Sequence, residues 1–270
     1  MKLCLVNGVQ QNSIDIENRG LAYGDGLFTT AKISQGKVEH LSLHIQRLLV
    51  GCEKLGLTAP NKNILSEQIY QVAKTYDLAV LKIIITASSG GRGYARSTDP
   101  VNNVIIMVHD YPKHYDQLAI EGITLGDSKQ QIGINPMLSG LKHLNRLEQV
   151  LLRQELTNTK VDDLVVTNIN DEVIEVTSAN LFFWLDGKLC TPDVSDSGVN
   201  GIMRQIILKK YPDTLIKKVT LTDLASCSAM FICNCVMGVT PIKTYNGQLL
   251  SITLPQRMRN TINQQIMPES

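Results

Sequence analysis

Lys142 is the residue whose position in this sequence most suggests covalent chemistry. It follows Gly140 and Leu141 and precedes residues 143–157, in which apolar side chains recur at helical spacing. This pattern predicts a junction between a strand and a helix, from which the lysine amine projects into a cleft and forms a Schiff base with a carbonyl compound. A solvent-exposed lysine is the alternative, and the local sequence by itself favours it because most lysines are exposed.

Glu175 is a second candidate, and it lies among apolar neighbours in a strand-like stretch, residues 172–182. A carboxylate in such a place can accept a charge-assisted hydrogen bond from the protonated nitrogen of an aromatic ring. The alternative is an exposed glutamate on an edge strand.

Two further features suggest phosphate binding. Residues 198–204 contain two glycines and lead into a predicted helix near 201–210, and the free N–H groups at a helix start bind phosphate well. Arg47, on an earlier predicted helix, is a second phosphate donor. Both features have ordinary alternatives, because many helices begin after glycine and an exposed helix arginine is common.

A Schiff-base lysine, a carboxylate beside a ring nitrogen and donors for a phosphate dianion are together the requirements of pyridoxal 5'-phosphate (PLP). The combination predicts this cofactor, although no single residue does. No metal site is predicted, because the closely spaced Cys233 and Cys235 have no second pair of ligands nearby. Both cysteines are expected in a buried strand over residues 230–236.

The elements that must position these residues form two groups, separated by a boundary within 110–121 at Pro112. Hydrophobic periodicity and β-branched runs predict an α+β fold with a small N-terminal α/β domain, residues 1–115, and a larger strand-rich C-terminal domain, residues 116–270. In the first domain we expect strands at 26–34, 79–86 and 103–108, helices at 41–55 and near 63–76, and a glycine-rich loop at 88–94. In the second we expect helices at 143–157 and 201–210, and strands near 122–126, 163–168, 173–176, 180–185, 188–191, 214–219, 229–234 and 239–245.

An ordered set of short segments resembles the class IV aminotransferase family, the fold-type IV PLP enzymes, and the resemblance covers about residues 5–242. The segments are residues 23–28 (YGDGLF), 44–48 (HIQRL), 142–145 (KHLN), 175–182 (EVTSANLF) and 201–204 (GIMR). The family includes branched-chain and D-amino-acid aminotransferases and aminodeoxychorismate lyases. It implies a homodimer with the active site near the subunit boundary.

The resemblance also implies roles for individual residues. Lys142 is implied as the Schiff-base lysine and Glu175 as the partner of the pyridine nitrogen. The other implied cofactor contacts are Arg47, Ser178, the backbone of Ile202 and Met203, and, near the phosphate, Asn234.

Within the family, three stretches are most similar to the bacterial lyases: residues 24–30, 89–94 and 140–149. This likeness implies conversion of 4-amino-4-deoxychorismate to 4-aminobenzoate and pyruvate, a step of folate biosynthesis. Thr30 would then orient Lys142 or hydrogen-bond the departing group, and Arg92 would hold a substrate carboxylate, with Tyr94 beside it. An ordinary strand threonine and a mobile-loop arginine are the alternatives.

Two other functions remain open. An aminotransferase of the D-amino-acid or branched-chain type would use the same Lys142 and Glu175. A non-catalytic protein on this fold is the second alternative, and it predicts loss of the lysine or of its acidic partner, whereas both are present.

The composition is that of an ordinary globular protein, with 270 residues, 43% apolar and 19% charged, and a net charge of +1. No basic stripe interleaved with aromatic residues suggests nucleic-acid binding. No segment reaches the roughly 18 apolar residues that span a bilayer. The apolar stretch at residues 1–6 is too short for a signal peptide, so we expect a cytoplasmic protein without a membrane partner.

Overall fold

The computed structural model describes residues 1–98 and 101–264, and it divides into two compact units. The first unit contains the described part of Met1–Pro112 together with Lys142–Asn145; the second contains Lys113–Leu141 and the described residues from Arg146 onward. The predicted boundary between residues 115 and 116 did not include this return of the chain to the first unit. Residues 265–270 of the predicted second domain lie outside the described residues.

The first unit is built on a six-stranded antiparallel sheet of strand order β2-β1-β6-β5-β3-β4. The strands are β1 (Leu3–Val6), β2 (Val9–Gln10), β3 (Gly26–Ser34), β4 (Lys37–Val38), β5 (Leu78–Ala87) and β6 (Asn102–His109). The helices are α1 (Arg19–Tyr23), α2 (Leu41–Leu55) and α3 (Lys62–Ala73). The long central strands form because their β-branched side chains pack well on a pleated surface.

Strand β3 has two distinct faces, because successive side chains of a strand point to opposite sides. Leu27, Ala31 and Ile33 are buried in the core that the sheet shares with α2 and α3. The intervening residues, including Phe28 and Thr30, are only partly buried and belong to the other face. This second face carries the candidate chemistry of the unit.

The second unit is built on a nine-stranded mixed sheet of order β12-β11-β10-β13-β14-β7-β8-β9, with β15 paired to β14. Its strands are β7 (Ile123–Ile132), β8 (Asp163–Asn168), β9 (Val173–Val176), β10 (Asn180–Leu185), β11 (Lys188–Pro192), β12 (Leu215–Lys217), β13 (Ala229–Asn234), β14 (Gly238–Tyr245) and β15 (Gln248–Leu249). Its helices are α4 (His114–Glu121), α5 (Leu147–Leu156), α6 (Ile202–Lys210), α7 (Leu221–Ala225) and α8 (Thr253–Asn263). Phe182 and Phe231 stack in its core with ring centroids 4.9 Å apart.

The helix predicted for residues 143–157 begins four residues later than expected, at Leu147. The preceding residues instead extend alongside β3: the N–H of Phe28 donates to the carbonyl of Lys142 at 2.9 Å, and the N–H of Leu144 donates to the carbonyl of Gly26 at 3.0 Å. The prediction was wrong here because Leu144 continues the helical spacing of apolar residues, although it packs against Gly26 of the strand.

Several smaller differences concern elements with weak sequence signals. The helices α1, α4, α7 and α8 were not predicted. Strand β7 continues through the polar residues 127–131 to Ile132. Cys233 lies in β13 as expected, whereas Cys235 is buried just beyond its end. Among the described helices, none combines the length and apolar character needed to cross a membrane.

Candidate active site

Lys142 lies on the face of β3 that carries Phe28 and Thr30, here called the open face, and its backbone pairing with that strand fixes its position. The side chain is partly buried, and its Nζ lies 4.8 Å from the centroid of the Phe28 ring. Such a contact is a cation–π arrangement when the amine is protonated. Lys142 is therefore held in place on a folded surface, which differs from the solvated lysine that the local sequence favoured.

A second lysine approaches the same ring. Lys82 of β5 pairs with Thr30 of β3, and its Nζ lies 5.1 Å from the Phe28 centroid. Sequence reasoning missed Phe28 and Lys82, because only the strand register shows that they share a face with Thr30. The open face of β3 thus carries Phe28 and Thr30, and the amines of Lys82 and Lys142 lie beside the Phe28 ring. Nearby amines of this kind attract an anionic substrate.

Thr29 has a different role from its neighbour Thr30. Its hydroxyl lies in the core at 2.6 Å from Nδ1 of His44 on α2. Burial, with the nearby positive charges of Arg47 and His40, lowers the pKa of His44 to about 3. His44 is thus neutral at physiological pH, and this buried pair ties α2, which carries Arg47 one turn further on, to β3.

Glu175 in β9 is only 8% exposed although β9 lies at the edge of its sheet. Its Oε2 accepts a hydrogen bond from the N–H of Val199 at 3.1 Å. A Cβ added to Gly198, whose φ is +82°, would lie 2.5 Å from Cγ2 of Ile174 and 3.3 Å from the carboxyl carbon of Glu175. The chain passes this close to the carboxylate only because residue 198 is glycine, and the alternative of an exposed edge-strand glutamate is wrong.

The turn before α6 is fixed by Asn180, a buried residue that the sequence prediction did not single out. Its Oδ1 accepts from the N–H of Gly201 at 3.1 Å, and its Nδ2 donates to the carbonyl of Val199 at 2.8 Å. The N–H groups of Ile202 and Met203 lie in the first turn of α6, where helix geometry provides no acceptor within the helix. The N-cap residue, Gly201, provides no side-chain cap either. These amides suit a phosphate group.

Ser178 and Asn234 lie together in the same unit. Nδ2 of Asn234 donates to the carbonyl of Ser178 at 3.3 Å, while its Oδ1 accepts from the N–H groups of Val236 and Met237. The hydroxyl of Ser178 lies 3.4 Å from Oδ2 of Asp163, whose pKa burial raises. Asn234 therefore links the backbone at Ser178 to that of residues 236–237. Its predicted approach to a phosphate stays a prediction.

Arg92 and Tyr94 lie in the glycine-rich loop of the first unit. Arg92 is exposed, and Tyr94 is 90% exposed with its ring 5.7 Å from that of Tyr23, edge to face. Hydrogen bonds nevertheless hold the backbone of the loop. The N–H of Ala95 donates to the carbonyl of Arg92, and the guanidinium of Arg19 donates to the carbonyl groups of residues 93 and 94.

Within residues 1–98 and 101–264, no three or more His, Cys, Asp or Glu side chains lie together in a way that could hold a metal ion. Burial raises the pKa of the Cys233 thiol well above its ordinary range. Such a thiol is protonated and packs as a small apolar side chain.

The predicted site residues thus fall into two sets. The first unit contains Lys142, Thr30, Arg47, Arg92 and Tyr94, and the second contains Glu175, Ser178, Ile202, Met203 and Asn234. Within the second unit, Glu175 and the turn before α6 are in direct contact through Val199.

Residues 26–245 match the sequence profile of the family described as amino-transferase class IV. The chain belongs to the class IV aminotransferase family. An aminodeoxychorismate lyase of Vibrio harveyi is 33% identical over 267 residues, which cover 96% of this chain and 98% of that protein. A D-alanine aminotransferase of Staphylococcus epidermidis is 27% identical over 263 residues, covering 92% and 90% respectively. The crystal structure of 4-amino-4-deoxychorismate lyase from Pseudomonas aeruginosa has a TM-score of 0.92 at 29% identity, covering 97% of this chain and 98% of that one.

These similarities confirm the predicted family and fold class, and they make the protein a PLP-dependent enzyme. The residues present fit this cofactor. Lys142 supplies a partly buried amine, Glu175 a buried carboxylate and α6 an uncapped helix start. The roles of the individual residues stay predictions.

Proposed function

We propose that the protein is a lyase that converts 4-amino-4-deoxychorismate to 4-aminobenzoate and pyruvate. The observation that carries this proposal is the near-full-length similarity to the lyase of Vibrio harveyi, at 33% identity. The glycine-rich loop and residues 142–145 of the lysine segment, two of the stretches most similar to the bacterial lyases, both belong to the first unit.

Lys142 has two roles in this proposal. Its amine would hold the cofactor covalently and, when free, would remove the proton from the amine-bearing carbon of the substrate. The bound cofactor supplies an electron-withdrawing ring that stabilises negative charge on that carbon. Cleavage of the ether C–O bond would then release enolpyruvate, which would take up the proton that Lys142 removed and leave as pyruvate. The ring of the other product becomes aromatic, which makes the elimination strongly downhill.

The other residues hold the reactants. Glu175 keeps the ring nitrogen protonated through a charge-assisted hydrogen bond, while Arg47 and the first-turn amides of α6 hold the phosphate. Ser178 and Asn234, which a hydrogen bond links, support the cofactor site. Arg92 pairs with a substrate carboxylate beside Tyr94, and Thr30 orients Lys142 or the departing group.

An assay of the purified protein with PLP tests this function directly. We expect release of pyruvate and 4-aminobenzoate from 4-amino-4-deoxychorismate without any oxo-acid acceptor. Turnover of an amino acid that requires an acceptor, with no such release, would establish the aminotransferase alternative. The 27% identity to the D-alanine aminotransferase of Staphylococcus epidermidis supports this alternative less strongly than the 33% identity supports the lyase.

Lys142→Ala tests the anchor separately from the substrate. The wild-type protein should show a visible absorption band that borohydride bleaches, and Lys142→Ala should lack the band and lose at least 1,000-fold in kcat, roughly the contribution of positioned acid–base catalysis. Lys129→Ala, an exposed lysine elsewhere in the chain, is the control and should keep both. A band that survives in Lys142→Ala would contradict the assignment.

We also propose that the protein is a cytoplasmic homodimer. Support comes from α5, which exposes Leu147 and Val150 by 71% and 60%, an apolar face that a second copy would cover. Light scattering on the purified protein should give twice the monomer mass, and a monomer at micromolar concentration would refute the assembly.

A further inference from the structure

The glycine-rich loop is held by a buried arginine that belongs to α1. Nη1 of Arg19 donates to the carbonyl groups of Gly93 and Ala95 at 3.0 and 3.3 Å, and its Nη2 donates to that of Tyr94 at 3.0 Å. The same guanidinium lies 4.7 Å from the ring centroid of Tyr23, against which Tyr94 packs. One side chain thus holds three successive carbonyl groups directly after Arg92.

Asp25 joins this arginine to a second one. Its Oδ2 accepts from Nε of Arg19 at 3.0 Å and from Nε of Arg96 at 2.9 Å, and its Oδ1 accepts from Nη2 of Arg96 at 2.5 Å. Nη1 of Arg96 donates to the carbonyl groups of Leu55 and Gly56 at the end of α2. Burial raises the pKa of Asp25, but the hydrogen bonds from the two arginines outweigh it and lower the pKa overall.

Asp25 also lies beside the lysine segment. It immediately precedes β3, and with Arg19 it lines a cavity of about 180 Å³ that His143 and Asn145 also line. Nδ2 of Asn145 donates to the carbonyl of Gly24 at 3.1 Å. Asp25 therefore lies next to the arginines that hold the loop and next to the contact between Asn145 and Gly24 that holds the lysine segment.

We propose that Arg19, Asp25 and Arg96 are positioning residues. They hold the glycine-rich loop and the residues that follow it, together residues 89–98, so that Arg92 meets the substrate carboxylate. This inference rests on the proposed lyase function. The loop contains three glycines with positive φ, at 90, 91 and 93, and its side chains at 92 and 94 are exposed. Such a segment has much conformational entropy to lose, and the network keeps it in one conformation before the substrate arrives.

Asp25→Asn is the first test, because it keeps the shape of the side chain and removes the charge between two arginines. In the PLP-loaded protein we expect KM for 4-amino-4-deoxychorismate to rise at least tenfold with kcat within threefold, and the visible band to be unchanged. Amides of the loop should exchange with deuterium at least tenfold faster, a readout that needs no substrate. Asp110→Asn, which breaks an exposed ion pair with Lys2, is the matched control and should change none of these.

Arg19→Lys and Arg92→Ala form a double-mutant cycle that tests the route of the effect. If Arg19 acts by presenting Arg92, Arg19→Lys should raise KM at least tenfold alone but less than threefold in the Arg92→Ala background. Arg96→Lys keeps a positive charge beside Asp25 but removes the bidentate hydrogen bonds of the guanidinium, so its effect should be smaller than that of Asp25→Asn. This variant also provides the test if Asp25→Asn does not fold.

The outcomes separate this inference from the proposed function. Loop amides that exchange at the wild-type rate in Asp25→Asn and Arg96→Lys, or effects of Arg19→Lys and Arg92→Ala that multiply fully, would overturn the positioning role while leaving the lyase intact. A wild-type protein that releases no pyruvate from the substrate would refute the lyase, even with the loop ordered.

Discussion

Gly198→Ala probes the closest approach of the backbone to the candidate cofactor site. An alanine here adopts a φ of +82° and places its Cβ 2.5 Å from Cγ2 of Ile174. Left-handed backbone costs a non-glycine residue about 1–2 kcal/mol. Overpacking costs about 1–3 kcal/mol more. The carboxyl carbon of Glu175 is 3.3 Å from the new methyl group, so relief of the clash also moves the proposed partner of the ring nitrogen.

Gly187→Ala is the matched control for this substitution. Gly187 has a φ of +74° in the turn between β10 and β11, and an added Cβ would meet nothing within 4 Å. Both variants bear the backbone cost, so the difference between them isolates the steric clash.

Urea unfolding of the two variants measures that difference. We expect Gly198→Ala to lose about 1–3 kcal/mol more than Gly187→Ala in the free energy of unfolding. PLP affinity, followed by the visible band, should fall about tenfold for each 1.4 kcal/mol of lost contact to Glu175. Equal destabilisation of the two variants, or a Gly198→Ala protein with wild-type affinity for PLP, would refute the steric argument.

Two further predictions concern buried hydrogen bonds. Because the folded-state pKa of His44, about 3, lies below the ordinary value, its contribution to stability is present above about pH 6.5 and is lost as the pH falls towards 3, by up to about 1.4 kcal/mol per pH unit. Urea unfolding between pH 7 and pH 5 should show a smaller loss in His44→Gln than in the wild type, and parallel losses would contradict this. Asn180→Ala should leave the N–H of Gly201 without its acceptor, lowering stability by about 1–3 kcal/mol and PLP affinity about tenfold. The exposed Asn158→Ala is its control, and wild-type affinity in Asn180→Ala would show that the turn before α6 does not need this side chain.

The long elements were predictable because their apolar residues repeat over several turns or pairs. Strand β3 was predicted for 26–34 and observed at those residues, and helix α2 likewise for 41–55. Short elements such as α1 leave too few residues for a period to be seen. At Leu144 the apolar spacing continued past the true helix start, because periodicity reports which residues are apolar and not which partner they contact.

The candidate site was predictable to the extent that residue type alone suggests a role. Lys142 and Glu175 carry groups that PLP requires, and short segments around them resemble a known family. Asn180 and Asp25 lie within or beside those segments, but their roles depend on hydrogen bonds to residues far along the chain. Lys82 gave no signal at all, since only the pairing of β3 with β5 brings it to the Phe28 ring.

The excursion of Lys142–Asn145 into the first unit has a consequence for how the protein is made. A ribosome completes residues 1–112 well before it adds the lysine segment, and until then the N–H of Phe28 and the carbonyl of Gly26 lack the partners that they have in the native fold. The nascent first unit therefore has one incomplete strand edge and lacks Lys142. If Lys142 anchors PLP as proposed, covalent binding of the cofactor is possible only after the start of the second unit has been synthesised.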